Sequence, residues 1–178
     1  MSPSVVVTFT AHDKAELLPA EPDARPLGPT EVLGRALASV ISAGTEINGL
    51  YHAKDFPQHP GYAACFEVEA VGPEVTCVKV GNRAFCMGPH QSFQRVEQAD
   101  VLPVPRGLEP AHSVFARLMG VSMATLTTVE ARPPERVVVT GLGPVGHLAA
   151  AIFATCGFDV IAADPLPTRR DLAARVPA

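Results

Sequence analysis

The sequence is short of the features that mark membrane, nucleic-acid-binding and disulfide-bonded proteins. No apolar stretch approaches the roughly 20 residues of a membrane-spanning helix, so no membrane partner is expected. The first residues show no basic segment leading into an apolar core, which argues against a signal peptide. Charged residues make up only 18 % of the chain and sum to a formal net charge of −4. No run of one sign interrupts them, which leaves no electrostatic footprint for nucleic acid or an anionic membrane. Cys65, Cys77, Cys86 and Cys156 contain no Cys-x-x-Cys among them. They read as packed, reduced thiols of a cytoplasmic protein, not as a disulfide framework or a zinc knot. No internal repeat or low-complexity tract is apparent.

What is present is a globular composition: 178 residues, 47 % of them apolar, enough for one or two domains. Eighteen prolines are about twice the usual share, and most punctuate the first two-thirds, which suits a loop-rich β domain. Ser4 to Phe9 is β-branched and strand-like, and a connection through Pro19, Pro22, Pro26 and Pro29 follows. Glu31 to Ile41 reads as a long strand, broken by Ala43-Gly44-Thr45-Glu46, and Gly49 to Gly61 has loop character. Strand patterns return at Cys65 to Val71, Val75 to Val80, Ala84 to Met87 and Ser92 to Val96. Short strands at this spacing indicate a small β-barrel or sandwich. From about Ala111 to Val129, apolar residues at Val114, Phe115, Leu118, Met119, Met123 and Leu126 follow a helical period. The methionines there read as core filler. Arg132-Pro133-Pro134-Glu135 marks the expected domain junction.

The last part carries the strongest signal. Val137-Val138-Val139-Thr140 runs into Gly141-Leu142-Gly143-Pro144-Val145-Gly146, and an alanine-rich helical pattern follows to Thr155 and Gly157. Strand, Gly-x-Gly-x-x-Gly and helix, in that order, are what a dinucleotide-binding turn requires. Gly141 allows the turn, Gly143 lets the backbone approach a pyrophosphate, and Gly146 lets the helix pack close to the strand. The helix N-terminus then holds the phosphates. Phe158 to Ala163 is the second strand, and Asp164 ends it. A carboxylate there accepts hydrogen bonds from ribose hydroxyls and repels a 2′-phosphate, which favours NAD(H) over NADP(H). The plainer reading is an Asp capping a turn before Pro165. Arg169 and Arg170 lie close by and could hold a 2′-phosphate, so NADP(H) is not excluded.

With these motifs in hand the chain resembles the medium-chain dehydrogenase/reductase superfamily, the alcohol dehydrogenase-like enzymes. The resemblance rests on Ala43-Gly44-Thr45-Glu46, on Pro60-Gly61-Tyr62 with Val68 and Val71-Gly72, on Val80-Gly81-Asn82-Arg83 and on the nucleotide turn, in that order. It implies an α/β fold: a β-rich GroES-like N-terminal domain with a C-terminal helix, residues 1–132, then the first β-α-β unit of a Rossmann fold, residues 133–178, incomplete. Such proteins often pair through their Rossmann sheets, so a homodimer belongs with a small-molecule substrate among the expected partners.

The departures from the family pattern bear on mechanism. Its catalytic zinc ligands align here with Ala43, Tyr62 and, less securely, Ala116, and the glutamate after its histidine is Ala63. Alanine offers no lone pair and a neutral phenol is a poor zinc ligand, so no catalytic metal is expected. The four-cysteine structural zinc lobe is also missing, with Cys86 alone in its region. Loss of zinc removes a Lewis acid, and another group must then serve the substrate oxygen. Thr45 keeps the family's relay hydroxyl, Asn48 stands at its relay histidine, and Tyr62 replaces a ligand. Tyr62 with Thr45 is the candidate proton donor; the alternative is that Tyr62 fills the vacated pocket. His52, His59 and His147 are weaker candidates, and Arg117 suits an anionic substrate or an ion pair. A local likeness to zinc-free enzymes of the bacteriochlorophyllide dehydrogenase kind leaves the substrate open.

The sequence therefore reads as a zinc-independent NAD(P)-dependent oxidoreductase, moving hydride between nicotinamide and an alcohol, carbonyl or activated alkene. The alternative is a truncated or degenerate member without catalysis, a weak nucleotide-binding or partner-completed fragment.

Overall fold

A computed structural model describes residues 4–21 and 23–175; Pro22, one of the prolines of the first connection, lies outside them. The chain divides into two compact units, Met1–Phe115 and Ala116–Ala178. The division falls before the long helix, earlier than the Arg132 junction, because that helix packs on the next helix of its own unit.

The first unit is β-rich. Strands β1 (Val5–Ala11) and β2 (Lys14–Pro19) form an antiparallel hairpin. β2 occupies part of the sequence read as a connection. Its residues are mostly exposed, so alternation has no buried face to reveal it. A five-stranded antiparallel sheet follows in the order β6-β3-β4-β5-β7, from Glu31–Val40 (β3), Ala63–Val71 (β4), Arg83–Cys86 (β5), Phe93–Glu97 (β6) and Leu102–Pro103 (β7). Backbone bridges Val6↔Gln91 and Phe9↔Gln58 tie the hairpin to the rest. Residues Val75 to Val80 are mostly irregular, with a bend at Cys77 and a turn beginning at Val80, not a strand. Val78 there is buried beside Val32, Phe66, Val68 and Val101. Its apolar character serves burial without a ladder.

The core of this unit is Val32, Ala64, Phe66, Val68, Val78, Ala84, Cys86 and Val101. β4, the central strand, supplies Ala64, Phe66 and Val68, more than any other strand. The proline-rich connection is pinned from outside the core. The Glu31 carboxylate accepts the Gly28 N–H at 2.6 Å and Arg95 Nη2 at 2.6 Å, while Arg95 also donates to the carbonyls of Arg25 and Pro26. These bonds hold the Glu31 carboxyl down to about 2.

The second unit holds α3 (Ala116–Thr128), β8 (Arg136–Thr140), α4 (Pro144–Thr155), β9 (Asp159–Ala163) and α5 (Pro167–Ala173). The expected helix from Ala111 breaks at Val114-Phe115, leaving the short α2 (Pro110–Ser113) in the first unit. Leu118 is buried, but Met119 and Met123 are 38 % and 41 % exposed, which corrects their reading as core filler. β8 and β9 pair in parallel, register Val138↔Ile161. Parallel strands are ordinarily covered on both faces, yet Val138 is 61 % and Ile161 46 % exposed. Among the described residues, no helix is long and apolar enough to cross a membrane.

The Glu31 cluster makes an acid-sensitivity prediction. A carboxyl depressed in the fold stabilises it above the unfolded value near 4.5, and that contribution disappears as pH falls toward 2. Glu31→Gln should lower the melting temperature at pH 7 and flatten its fall between pH 5 and 2. An unchanged acid slope in thermal melts would contradict this.

Candidate functional site

The glycine turn between β8 and α4 is built as its glycines require. Gly141 has φ 85°, in the left-handed region where a side chain is strained. A Cβ on Gly146 would overlap the Gly141 carbonyl oxygen, so only glycine lets the helix come this close to the turn. Gly143 is different: a Cβ there meets nothing within 4 Å, which leaves its backbone open to an approaching group. α4 starts at Pro144, which has no N–H, and His147 N–H donates to Gly143 O at 2.8 Å. Val145 and Gly146 are thus first-turn amides without an intrahelical acceptor, the donors an anion would meet.

Asp164 is tied to that turn. Its Oδ2 accepts the Leu142 N–H at 2.7 Å and its Oδ1 accepts the Leu166 N–H at 2.8 Å. Arg169 Nη1 stands 3.3 Å from Oδ2, and Arg170 donates to the Asp164 carbonyl at 2.6 Å. The Asp164 side chain is 1 % exposed. The backbone amides of Leu166 and Leu142, then Arg169, hold its carboxyl below the usual range. The amide of Leu142, expected to meet cofactor, is therefore engaged by Asp164. The geometry on the page is the turn-capping one: the buried carboxylate braces the loop through the Leu142 and Leu166 amides. Arg169 is 48 % exposed beside it, the position from which a 2′-phosphate could be met.

His147 lines a cavity of about 270 Å³ with Leu142, Ala151, Ala162 and Arg170. Its Nδ1 is buried without a partner among the described residues.

In the first unit, Thr45 lies on α1 (Ala43–Glu46) and Asn48 on the π-helical turn Ile47–Tyr51 that continues it. Both are exposed. The Ser42 hydroxyl donates to Thr45 Oγ1 at 3.1 Å. Tyr62 is half-buried immediately before β4, whose first residue Ala63 pairs with Val40 at the end of β3. Ala43 and Ala63 offer no donor atom, and Ala116 belongs to the second unit. His59 Nδ1 lies 3.4 Å from Thr8 Oγ1, a structural contact. His52 is exposed and 2.9 Å from Asp13. Arg117 is half-buried on α3.

Sequence reasoning missed a buried relay beside Thr45. Glu46 Oε1 accepts the Ser42 N–H at 2.6 Å, Glu46 Oε2 lies 2.9 Å from His90 Nε2, and His90 Nδ1 lies 2.8 Å from Ser39 Oγ. Glu46 and His90 side chains are only 3 % and 9 % exposed. The pair ties α1 to the loop before β6 and to the end of β3. No local motif announces it, because its members are 44 residues apart. The cysteines are free: burial pushes the Cys86 thiol up to about 12 and also raises Cys65, which makes both poor nucleophiles.

No protein-family model matches the chain. It is 30 % identical over 182 residues to a quinone oxidoreductase of Pseudomonas aeruginosa, covering 94 % of this chain and 54 % of that protein. It is 29 % identical over 148 residues to L-galactonate-5-dehydrogenase of Escherichia coli, covering 79 % and 42 %. The chain thus spans about half the length of these curated relatives. Among solved structures it superposes on galactitol-1-phosphate dehydrogenase of Escherichia coli with a TM-score of 0.82 at 17 % identity, over 98 % of this chain and 59 % of that one. A dehydrogenase of Sinorhizobium meliloti bound to NADP gives 0.83 at 18 %, over 100 % and 61 %. These relatives and neighbours are medium-chain dehydrogenases/reductases, and the α/β fold of this chain is theirs.

The turn geometry separates two glycine roles. Gly146→Ala should unfold or strongly destabilise the second unit, whereas Gly143→Ala should keep the wild-type melting temperature within a few degrees. If Gly143→Ala melts as early as Gly146→Ala, the open approach at Gly143 is wrong.

Proposed function

We propose that this chain carries the cofactor-binding turn and substrate-side residues of an NAD(P)-dependent oxidoreductase of the medium-chain dehydrogenase/reductase superfamily. The observation that carries the reading is the β8–turn–α4–β9 unit, with Gly141 in the left-handed region, Gly146 against the turn carbonyl and Asp164 bracing the loop. The relatives are themselves named as oxidoreductases and dehydrogenases. Val145 and Gly146 amides would hold the pyrophosphate, and Asp164 the adenosine ribose. The cofactor itself supplies or accepts the hydride; this chain binds and orients it.

Our reading of the chemistry is zinc-independent. Ala43 and Tyr62 align with metal-ligand positions of the family pattern, and a phenol can still donate to a small-molecule substrate's oxygen. Tyr62 and Thr45 take that role, with Asn48, on the π-helical turn that continues the helix of Thr45, as a further hydrogen-bonding group. The substrate is an alcohol, a carbonyl compound or an activated alkene. We place NAD(H) ahead of NADP(H), since a buried anion at the ribose position opposes a 2′-phosphate, while the half-exposed Arg169 tempers that preference. The four cysteines are free, and Cys77 and Cys156 are exposed, contrary to the expectation of packed thiols; free thiols fit a reducing, cytoplasmic setting.

A second reading is favoured by the exposed apolar faces of β8 and β9. In it the second unit binds nucleotide weakly until further strands cover it.

Titration of the chain with NADH and NADPH, followed by nucleotide fluorescence, tests the cofactor assignment. Binding should be tighter for NADH, and Gly143→Ala should weaken it at least tenfold. Asp164→Asn should narrow the gap between the two nucleotides; an unchanged preference sinks the ribose role. Weak binding that strengthens sharply when this sequence is joined to the remainder of a full-length relative supports the second reading. For catalysis, Tyr62→Phe should lower kcat by a factor of about 10² on an identified substrate without a comparable rise in KM, and a chelator should leave turnover unchanged. Full activity in Tyr62→Phe removes its role.

A further inference from the structure

Outside the nucleotide turn, one cluster has the chemistry of a metal site. His12 and Asp13 form the tip of the β1–β2 hairpin, and His52 caps the π-helical turn nearly 40 residues later. His12 Nδ1 lies 3.1 Å from one Asp13 oxygen, and His52 Nε2 lies 2.9 Å from the other. Among the described residues this is the one group of three or more His, Cys, Asp or Glu side chains whose donor atoms converge, all within 4.8 Å of one another. A tetrahedral ion with bonds near 2.1 Å needs donors about 3.4 Å apart, a spacing this group reaches with a small rotation of its side chains.

The scaffold on which the group sits is ordered by contacts that do not involve it. Phe9 pairs with Gln58 by two backbone bonds of 2.8 and 2.9 Å, and its ring meets Tyr51 edge-on at 4.9 Å. The Asp13 N–H reaches the Tyr51 carbonyl, at 3.4 Å. Asp13 itself is held at φ 57°, a conformation Asp and Asn tolerate better than most residues. Lys14, the neighbouring cation, pairs with Glu16 at 2.9 Å and not with Asp13. The two imidazoles stack at 5.0 Å. Turning them apart aims both nitrogens at one point, and at 63 % and 42 % side-chain exposure they have room to turn.

We propose that His12, Asp13 and His52 form a surface site for a borderline divalent transition ion such as Zn²⁺, with water completing its coordination. Two imidazoles and one carboxylate suit that class over Mg²⁺ or Ca²⁺, which prefer all-oxygen sets. The site is separate from Ala43 and Tyr62, where the family's catalytic zinc ligands align, and independent of the nucleotide assignment. Its effect would be structural: an ion here clips the hairpin to the turn that carries Asn48.

Equilibrium dialysis of the whole chain against micromolar ZnCl₂, with metal quantified in the retentate, tests the site. Wild type should bind one equivalent with a micromolar Kd. Asp13→Asn, chosen because Asn accepts the same backbone conformation, and His52→Ala should each weaken that binding tenfold or more. Their circular dichroism without metal should match wild type. Zinc should also raise the melting temperature of wild type and not of the His12→Ala/His52→Ala double variant. Equal zinc uptake by wild type and the double variant would overturn the proposal, as would no uptake by wild type. CaCl₂ at the same concentration should neither bind nor shift the melt; calcium binding equal to zinc would overturn the assignment of metal class.

Discussion

A backbone-to-backbone contact underlies the second unit: α4 meets the glycine turn where Gly146 has no side chain to hold it away from the Gly141 carbonyl. The first turn of the helix can lie over the end of β8 only because of that contact. Asp164 completes the arrangement from the other side. Its carboxylate, at the end of β9, accepts the Leu142 amide inside the turn and the Leu166 amide beyond the strand. Strand, turn, helix and second strand are thereby closed into one small assembly with open helix amides at its end. In a water-poor setting such preorganised donors interact strongly with an anion, since they need no reorganisation on binding.

The first unit uses polar contacts in a comparable way. Its core is apolar and ordinary, but the loops around the candidate substrate-side residues depend on buried hydrogen bonds. The Glu46 and His90 side chains are buried, while Thr45 on α1 and Asn48 on the turn that follows it are exposed. Removing one partner of so buried a pair leaves the other without its bond, which ordinarily costs more than the pair contributes. Orientation of the α1 stretch thus rests on electrostatics set by three separate segments: the end of β3, α1 itself and the loop before β6.

Legibility followed the range of the interactions. The glycine turn was readable because every requirement is local: a left-handed Gly141, an unobstructed Gly143 and a Gly146 in backbone contact lie within six consecutive residues. Most strands of the sheet were readable from β-branched runs between turn residues. β2 was not, because its exposed residues carry no alternation, and Val75 to Val80 misled because Val78 is buried from an irregular segment. The helix from Ala111 broke at Val114-Phe115, where no proline or glycine signals a break.

Residue types and their order alone determined the α/β class, the position of the nucleotide turn, the lack of ligating atoms at Ala43 and Ala63, and Asp164 as the end of the second strand. Those properties depend on chemistry carried within single residues or short windows. Tertiary structure alone decided that Asp164 braces the loop through Leu142, that Glu46 meets His90, and that His12, Asp13 and His52 converge. Each of these depends on segments that are distant in sequence and brought within hydrogen-bonding range by strand pairing and turn geometry. A spacing pattern carries no record of such distances.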